Sequence, residues 1–342
     1  MCSPEHSAAA DATDRIRHYW SRGQSATDVV LSTVARVTPD PIDHAVTEAE
    51  RRRSVSDRDL SASVQHFRAV ARTVCQEWGL TVERWLEGGA GTPPLAVRRA
   101  DGSAAVLKIA EPGALDVSVG VMRAGGGHGY ARVLEWDADR GALLLERLGH
   151  DLGNESSTLG GQGRVLVPLL RDAWRVPLTC GHPFQSKASD LLAILADLGP
   201  RYGTQHEDVL IVATEYAKEL AASEMAEVVC HGDPHAGNVL RRGEGWALID
   251  PDGFVGERAY DLGVVMRDAC REIADAEAFQ PGAARPMLRE ESRRLAEPAN
   301  VDPERVWRWG FVERVTTGLY LRWYGHARES AAFLDTATLL TN

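Results

Sequence analysis

Apolar positions recur along this chain with two different periods, and each change of period marks a new set of elements. From Leu60 the spacing is helical: Leu60, Val64, Phe67, Ala71, Val74 and Trp78 fall three or four residues apart and predict one apolar face. Ser56 and Asp59 stand ahead of it as a capping box. From Thr81 the period is that of strands. Thr81 to Glu87, Leu95 to Arg99 and Ala104 to Ile109 read as three strands, and Tyr130 to Asp137 and Ala142 to Glu146 as two more after a helix ended by Gly125-Gly126-Gly127. Beyond Asp151 the helical period returns over Gly163 to Trp174, Ser186 to Leu198, Glu207 to Ser223 and Pro303 to His326, with Asn154 to Gly163 a loop. A further helix starts at Tyr260 and points Leu262, Val265, Met266, Ala269 and Ile273 inward. Before Leu60, two short helices are expected around Ala12 to Arg22 and Ala26 to Arg36, and Arg51-Arg52-Arg53 reads as a solvated helix face.

The chemistry is concentrated between Val228 and Leu262. Val228-Val229-Cys230 leads into His231-Gly232-Asp233-Pro234-His235-Ala236-Gly237-Asn238, and after a Gly-rich turn the chain returns as Trp246-Ala247-Leu248-Ile249-Asp250. Two apolar runs around a polar loop fit a pair of strands that carry Asp233, Asn238 and Asp250 to one place. Phosphoryl transfer needs these residue types: a carboxylate to orient the attacking hydroxyl, and an amide with a second carboxylate to hold Mg²⁺. Asp233 and Asn238 are five apart, the spacing of the kinase catalytic loop, with Asp250 in the place of its second, metal-binding aspartate. A zinc site on His231 and His235 is disfavoured, because Gly232, Pro234 and Gly237 exclude the helix that their spacing of four would require.

These loops resemble those of the aminoglycoside phosphotransferase superfamily, small-molecule kinases built on the protein-kinase fold. The run from Ile249-Asp250-Pro251-Asp252-Gly253 to Ala259-Tyr260-Asp261 is closest to the streptomycin 6-kinase and hydroxyurea kinase branch, and the resemblance covers roughly residues 76 to 330. It implies an α+β, protein-kinase-like two-lobed fold. A helical extension would occupy residues 1–60, a small β-rich nucleotide-binding N-lobe residues 61–148, and a larger, mainly helical catalytic and substrate-binding C-lobe residues 149–342. The expected reaction moves the γ-phosphate of ATP or GTP, with Mg²⁺, to a hydroxyl of an antibiotic, an aminoglycoside first and a nucleoside-type compound or other metabolite second.

The same resemblance assigns roles outside the loop pair. Ala105-Val106-Leu107-Lys108 matches the strand whose lysine reaches the donor's phosphates, and Gly88, Gly89 and Gly91 form the turn that would cover them. Backbone groups near Glu146 and Leu148 would meet the nucleobase. His231 would brace the catalytic loop, and Asp261 would receive its backbone N–H groups. The pattern departs at Ser118, which stands where the branch would place a glutamate to pair with Lys108; Glu111 and Asp116 are the nearest carboxylates. That departure leaves a kinase-like binding module without turnover as the rival reading. Trp309, Glu313 and Trp323 lie off the apolar stripe of the last long helix and are candidates to line a sugar or base site.

Composition narrows the partners. The 342 residues are 44% hydrophobic and 25% charged, the balance of a soluble protein long enough for two lobes. No apolar run reaches membrane-spanning length, and Met1 to His6 lacks the order of a secretory signal, so a cytoplasmic, membrane-free protein is expected. The five cysteines are scattered and expected as free thiols. A net charge of −11 argues against nucleic acid. Between residues 151 and 230, eleven Asp and Glu stand against six Lys and Arg, which would attract a cationic small molecule, although many soluble proteins are acidic. The first sixty residues either cap the upper lobe or mediate a homodimer.

Overall fold

The computed structural model describes residues 41–47, 61–87 and 93–341. Gly88, Gly89 and Gly91, the Ser56/Asp59 capping box, both short early helices and the Arg51 to Arg53 triplet lie outside the described residues. What is described divides into two compact units, one of residues 41–47, 61–87, 93–127 and 131–149, the other of residues 128–130 and 150–341.

The first unit is built on an antiparallel sheet of β1 (Thr81–Trp85), β2 (Leu95–Arg98), β3 (Ala104–Ile109), β4 (Val133–Asp137) and β5 (Ala142–Glu146), in the order β1-β2-β3-β5-β4. Alternation along β3 sends Ala105, Leu107 and Ile109 into the core and leaves Val106 and Lys108 on the opposite face. Helix α1 (Ser61–Glu77) closes that core with Phe67, Ala71 and Val74 of the predicted stripe, and Ile42, Ala45 and Val46 of helical residues 41–47 join them. Helix α2 (Asp116–Gly125) buries Ser118, whose hydroxyl finds no hydrogen-bond partner among the described residues. Tyr130 does not open β4. It belongs to the second unit, where the Leu248 N–H donates to Gly129 O at 2.7 Å and Tyr130 bridges to Leu248.

The second unit is mainly helical: α3 (Leu159–Ala173), α4 (Lys187–Tyr202), α5 (Glu207–Ala221), α6 (Arg258–Arg267), α7 (Cys270–Phe279), α8 (Ala284–Ala296), α9 (Pro303–Trp323) and α10 (Ala327–Thr338). Two boundaries differ from expectation for tertiary reasons. Helix α3 starts inside the expected loop, because Thr158 accepts from the Gly161 N–H and the distant Glu272 carboxylate accepts from the Leu159 N–H at 2.9 Å. The helix expected to run on from Tyr260 breaks after Arg267. Continuation would bond the Cys270 N–H to Met266 O, but Arg314 donates to that carbonyl at 2.9 Å and the Cys270 N–H turns to Asp268 O.

Helix α9 is buried on nearly every side from Val306 to Tyr320, the condition of a central helix rather than a surface one. It meets α6 where two glycines face each other: a Cβ at Gly263 would stand 2.5 Å from that of Trp309 and 2.8 Å from Gly310 N. No larger residue fits there, so the two backbones touch. Trp309 and Glu313 are fully buried and line no accessible site; Trp309 donates to Glu257 at 2.9 Å and Glu313 accepts from the Tyr260 hydroxyl at 2.6 Å. Trp323 instead packs with Tyr320 and Tyr324 near the helix end. Among the described residues, no helix is long and apolar enough to cross a membrane, and Cys75, Cys180, Cys230 and Cys270 are free thiols.

Candidate active site

Short strands β6 (Val228–Val229) and β9 (Val255–Gly256) pair antiparallel, and between them in sequence runs the hairpin β7 (Val239–Arg242) and β8 (Gly245–Leu248). Asn238 directly precedes β7 and Ile249 directly follows β8. The Ile249 N–H donates to Asn238 O at 2.9 Å, so the ladder extends one step past the strands and holds Asn238 beside the peptide that leads into Asp250.

His231 ties this hairpin to the loop that carries Asp233. Its Nε2 donates to Ile249 O at 2.9 Å while its Nδ1 accepts from the Asp233 N–H at 3.2 Å, which defines a neutral ring protonated at Nε2. Burial pushes its pKa down to about 4, against the pull of the Asp233 and Asp250 carboxylates, whose charges both reach the ring. With both nitrogens engaged, His231 offers nothing to a zinc ion. Gly232 follows at φ +94°, and a Cβ there would lie 2.6 Å from that of Asp252, so this turn requires glycine.

Asp261, in the first turn of α6, anchors the loop from below. Its Oδ2 accepts from His231 N at 2.9 Å and from the Trp174 indole at 2.7 Å, and its Oδ1 accepts from Gly232 N at 2.9 Å. Burial pushes its pKa up to about 6 in spite of these three donors. A carboxylate with all its bonds turned to backbone and indole is a support rather than a reactant.

Asp233 faces the other way. Its backbone carbonyl accepts from the His235 N–H and from Asn238 Nδ2, both at 2.9 Å. That second bond commits the nitrogen end of the Asn238 amide and leaves the oxygen end, Oδ1, for a cation. Burial raises the Asp233 carboxyl, but the neighbouring His235, Arg267 and His231 together outweigh it and hold the group below the ordinary range. Asp250 sits at φ +57°, a left-handed backbone that costs a non-glycine residue about 1 kcal/mol and tends to persist where function needs the side-chain direction. The neighbouring peptides fix it, since Ile249 bonds to Asn238 and the Asp252 N–H donates to His231 O at 2.7 Å.

Asn238 and Asp250 therefore supply hard oxygen donors on one hairpin, the chemistry Mg²⁺ prefers. Among the described residues no three His, Cys, Asp or Glu side chains gather as a metal cluster. A cation on this pair would complete its shell with phosphate and water, which is how Mg²⁺ binds in phosphoryl-transfer sites.

In the sheet unit, Lys108 lies on β3 opposite Leu143. Glu146 ends β5 with its N–H donating to Arg132 O and its carboxylate accepting from the Arg132 N–H at 2.7 Å, so its side chain is taken up in closing that strand. Leu148 is half-buried. Glu111 and Asp116 are exposed.

Two further residues were not singled out by sequence reasoning: Trp174, which donates to Asp261, and Arg267, beside Asp233. Arg267 donates to Asp233 Oδ1 at 3.1 Å. A signal for it existed, because Asp261 and Arg267 are the two charged residues inside α6 after its first position, and a helix otherwise apolar must pair them.

The profile of a family described as aminoglycoside/hydroxyurea antibiotic resistance kinase matches residues 77–325. The chain belongs to this family. A streptomycin 6-kinase of Streptomyces griseus is 30% identical over 269 residues, 73% of this chain and 81% of that one. A hydroxyurea phosphotransferase of Kitasatospora aureofaciens is 33% identical over 195 residues, which span 55% of this chain and 57% of the relative's length. Among solved structures, a thermostable mutant of the aminoglycoside phosphotransferase APH(4)-Ia superposes with a TM-score of 0.53 at 14% identity, over 79% of this chain and 97% of that one. Choline kinase LicA from Streptococcus pneumoniae gives 0.51 at 12% identity, over 80% and 99%. At such identities the structures speak to the fold alone, and that fold is the α+β, protein-kinase-like one expected from the sequence.

Proposed function

We propose that this kinase transfers the γ-phosphoryl group of ATP or GTP to a hydroxyl of an antibiotic, an aminoglycoside of the streptomycin type first. The observation that carries the reading is the bonded unit His231, Asp233, Asn238 and Ile249-Asp250, which holds the backbone of Asp233 against His231 and Asn238 and sets Asn238 and Asp250 on one hairpin. Asp233 orients the acceptor hydroxyl and takes its proton, most of the catalysis being alignment and charge placement. Asn238 and Asp250 hold Mg²⁺, which when bound neutralises charge on the donor's phosphates. The resemblance assigns Lys108, Gly88, Gly89 and Gly91 to the donor's phosphates and backbone groups near Glu146 and Leu148 to its base. Phosphorylation adds about two negative charges to the antibiotic, where its target allows none.

A second reading has a specific basis: the hydroxyurea phosphotransferase relative favours a small hydroxylated acceptor in place of a polycation. Incubation with Mg²⁺ and ATP or GTP against a panel holding streptomycin, other aminoglycosides, a nucleoside antibiotic and hydroxyurea separates the two by which compound gains about 80 Da, the mass of one phosphoryl group. Nucleotide binding without any acceptor gain across the panel would leave the binding-module reading standing.

A further inference from the structure

We propose that Arg267 is a positioning residue for the transfer, holding Oδ1 of Asp233 so that Oδ2 is left to the acceptor hydroxyl. This rests on the reading of Asp233 given above. Arg267 ends α6 with its side chain 6% exposed, and its guanidinium bridges two carboxylates. Nη2 donates to Asp233 Oδ1 at 3.1 Å, while Nε and Nη2 donate to Asp268 at 2.8 and 3.2 Å. A planar fork can serve both partners in fixed directions, whereas an ammonium group is a point charge and cannot.

The other oxygen of Asp233 is not held in this way. His235 Nδ1 accepts from the Gly237 N–H at 3.0 Å, so the ring proton sits on Nε2, which is 3.5 Å from Asp233 Oδ2 and too long for a firm bond. The carboxylate is thus fixed at one oxygen and open at the other, the arrangement that receiving a hydroxyl proton calls for.

The guanidinium itself is placed from deep in the helical unit. The charges of Arg267 and of the buried Lys187 of α4 both act on the buried Glu313 of α9, and Glu313 acts in turn on Arg267. Glu313 is oriented by the Tyr260 hydroxyl, and Lys187 stands 5.5 Å from the Tyr260 ring centre. The contact of Gly263 with Gly310 sets the distance between α6, which carries Arg267, and α9, which carries Glu313. An ion pair serving stability alone needs none of this alignment; a residue that aims a catalytic carboxylate needs all of it.

The test is steady-state kinetics with Mg²⁺, ATP and, as acceptors, streptomycin and hydroxyurea, on wild type, Asp233→Asn, Arg267→Ala and Arg267→Lys, with the folded fraction of each taken from circular dichroism. Arg267→Ala is expected to lower kcat by about 100-fold, the penalty for misplacing a catalytic group by about an ångström, with both KM values within about threefold. Guanidinium chloride at millimolar concentration should recover at least about a tenth of the loss, and Arg267→Lys should stay well below wild type because it reaches one carboxylate. The inference is overturned if either folded variant keeps kcat within about threefold of wild type, or if the loss lies wholly in KM. Should Arg267→Ala not fold, Arg267→Lys decides by the same criteria. If Asp233→Asn turns over like wild type, or wild type transfers to neither acceptor, it is the reading of Asp233 that fails, and the inference falls with it.

Discussion

The two units handle charge in opposite ways. In the sheet unit the core of Phe67, Leu95, Val97, Leu107 and Leu144 is wholly apolar, and its ion pairs, Arg140 with Glu77, Arg98 and Arg147 with Glu83, and Arg68 and Arg72 with Asp43, lie at the surface. Such pairs are screened and contribute little. In the helical unit, Glu257, Asp261, Arg267, Glu313, Arg314 and Lys187 are all buried, and Asp261 and Arg267 bond directly to the loop that carries Asp233. Burying charge is expensive, and apolar replacements would serve stability at least as well. What burial provides here is direction: each group can occupy one place, and the loop above inherits that placement.

If that contrast is right, the largest effect belongs to Asp233. Asp233→Asn should lower turnover by about 10² to 10⁴, the range for losing a general base, and should also lower the unfolding temperature, because the buried Arg267 then keeps only Asp268 of the two carboxylates it bridges; mass spectrometry of the product and calorimetry read the two sides.

Next comes the pH response of the buried supports. Neutral His231, with its pKa lowered to about 4 from 6.5, contributes stability above pH 6.5 that is lost as pH falls towards 4, about 3 kcal/mol in all. Asp261, raised to about 6 from 3.8, works in the reverse direction: its contribution is full below pH 3.8 and is lost as pH rises through 6, again about 3 kcal/mol. The two nearly offset in wild type, so substitution should unmask them. Relative to wild type, His231→Gln should gain stability, and Asp261→Asn lose it, between pH 7 and 4.5 in urea melts. Equal differences at both pH values would break the comparison.

A smaller effect is expected at Gly263→Ala, where the added methyl group has no room between α6 and α9; overpacking of about 1 to 3 kcal/mol should lower the urea midpoint and, by shifting Arg267, reduce kcat. The smallest belongs to the sheet surface. Arg140→Ala should leave the unfolding midpoint and turnover within error of wild type, and a clear loss there would mean that the surface pairs matter more than their exposure implies.

Much of this was legible in the chain before any coordinates. Strand periodicity placed β2, β3 and β5 within a residue of their observed bounds, and the polar loop between two apolar runs brought Asn238 and Asp250 onto one hairpin. The misreadings share a cause. Trp309 and Glu313 were candidates to line a ligand site because they leave the apolar stripe, but α9 is surrounded on nearly every side, so a stripe carries no information there. Helix α3 begins where Glu272 meets it, 113 residues away, and α6 ends where Arg314 takes a carbonyl, 48 residues away. Periodicity registers neighbours along the chain and is blind to such partners.

The sequence by itself determined which residues could do chemistry, since residue type, the five-residue spacing of Asp233 and Asn238 and the return at Asp250 are local properties that short-range geometry turns into a loop and a hairpin. The tertiary structure alone decided how those residues point. Arg267 on Asp233, Asp261 beneath His231 and Gly232, and the glycine contact that sets α6 against α9 join segments that are remote in the chain. Charges buried in a low-dielectric interior must find partners wherever the packing brings them, and that depends on the whole helical unit closing at once.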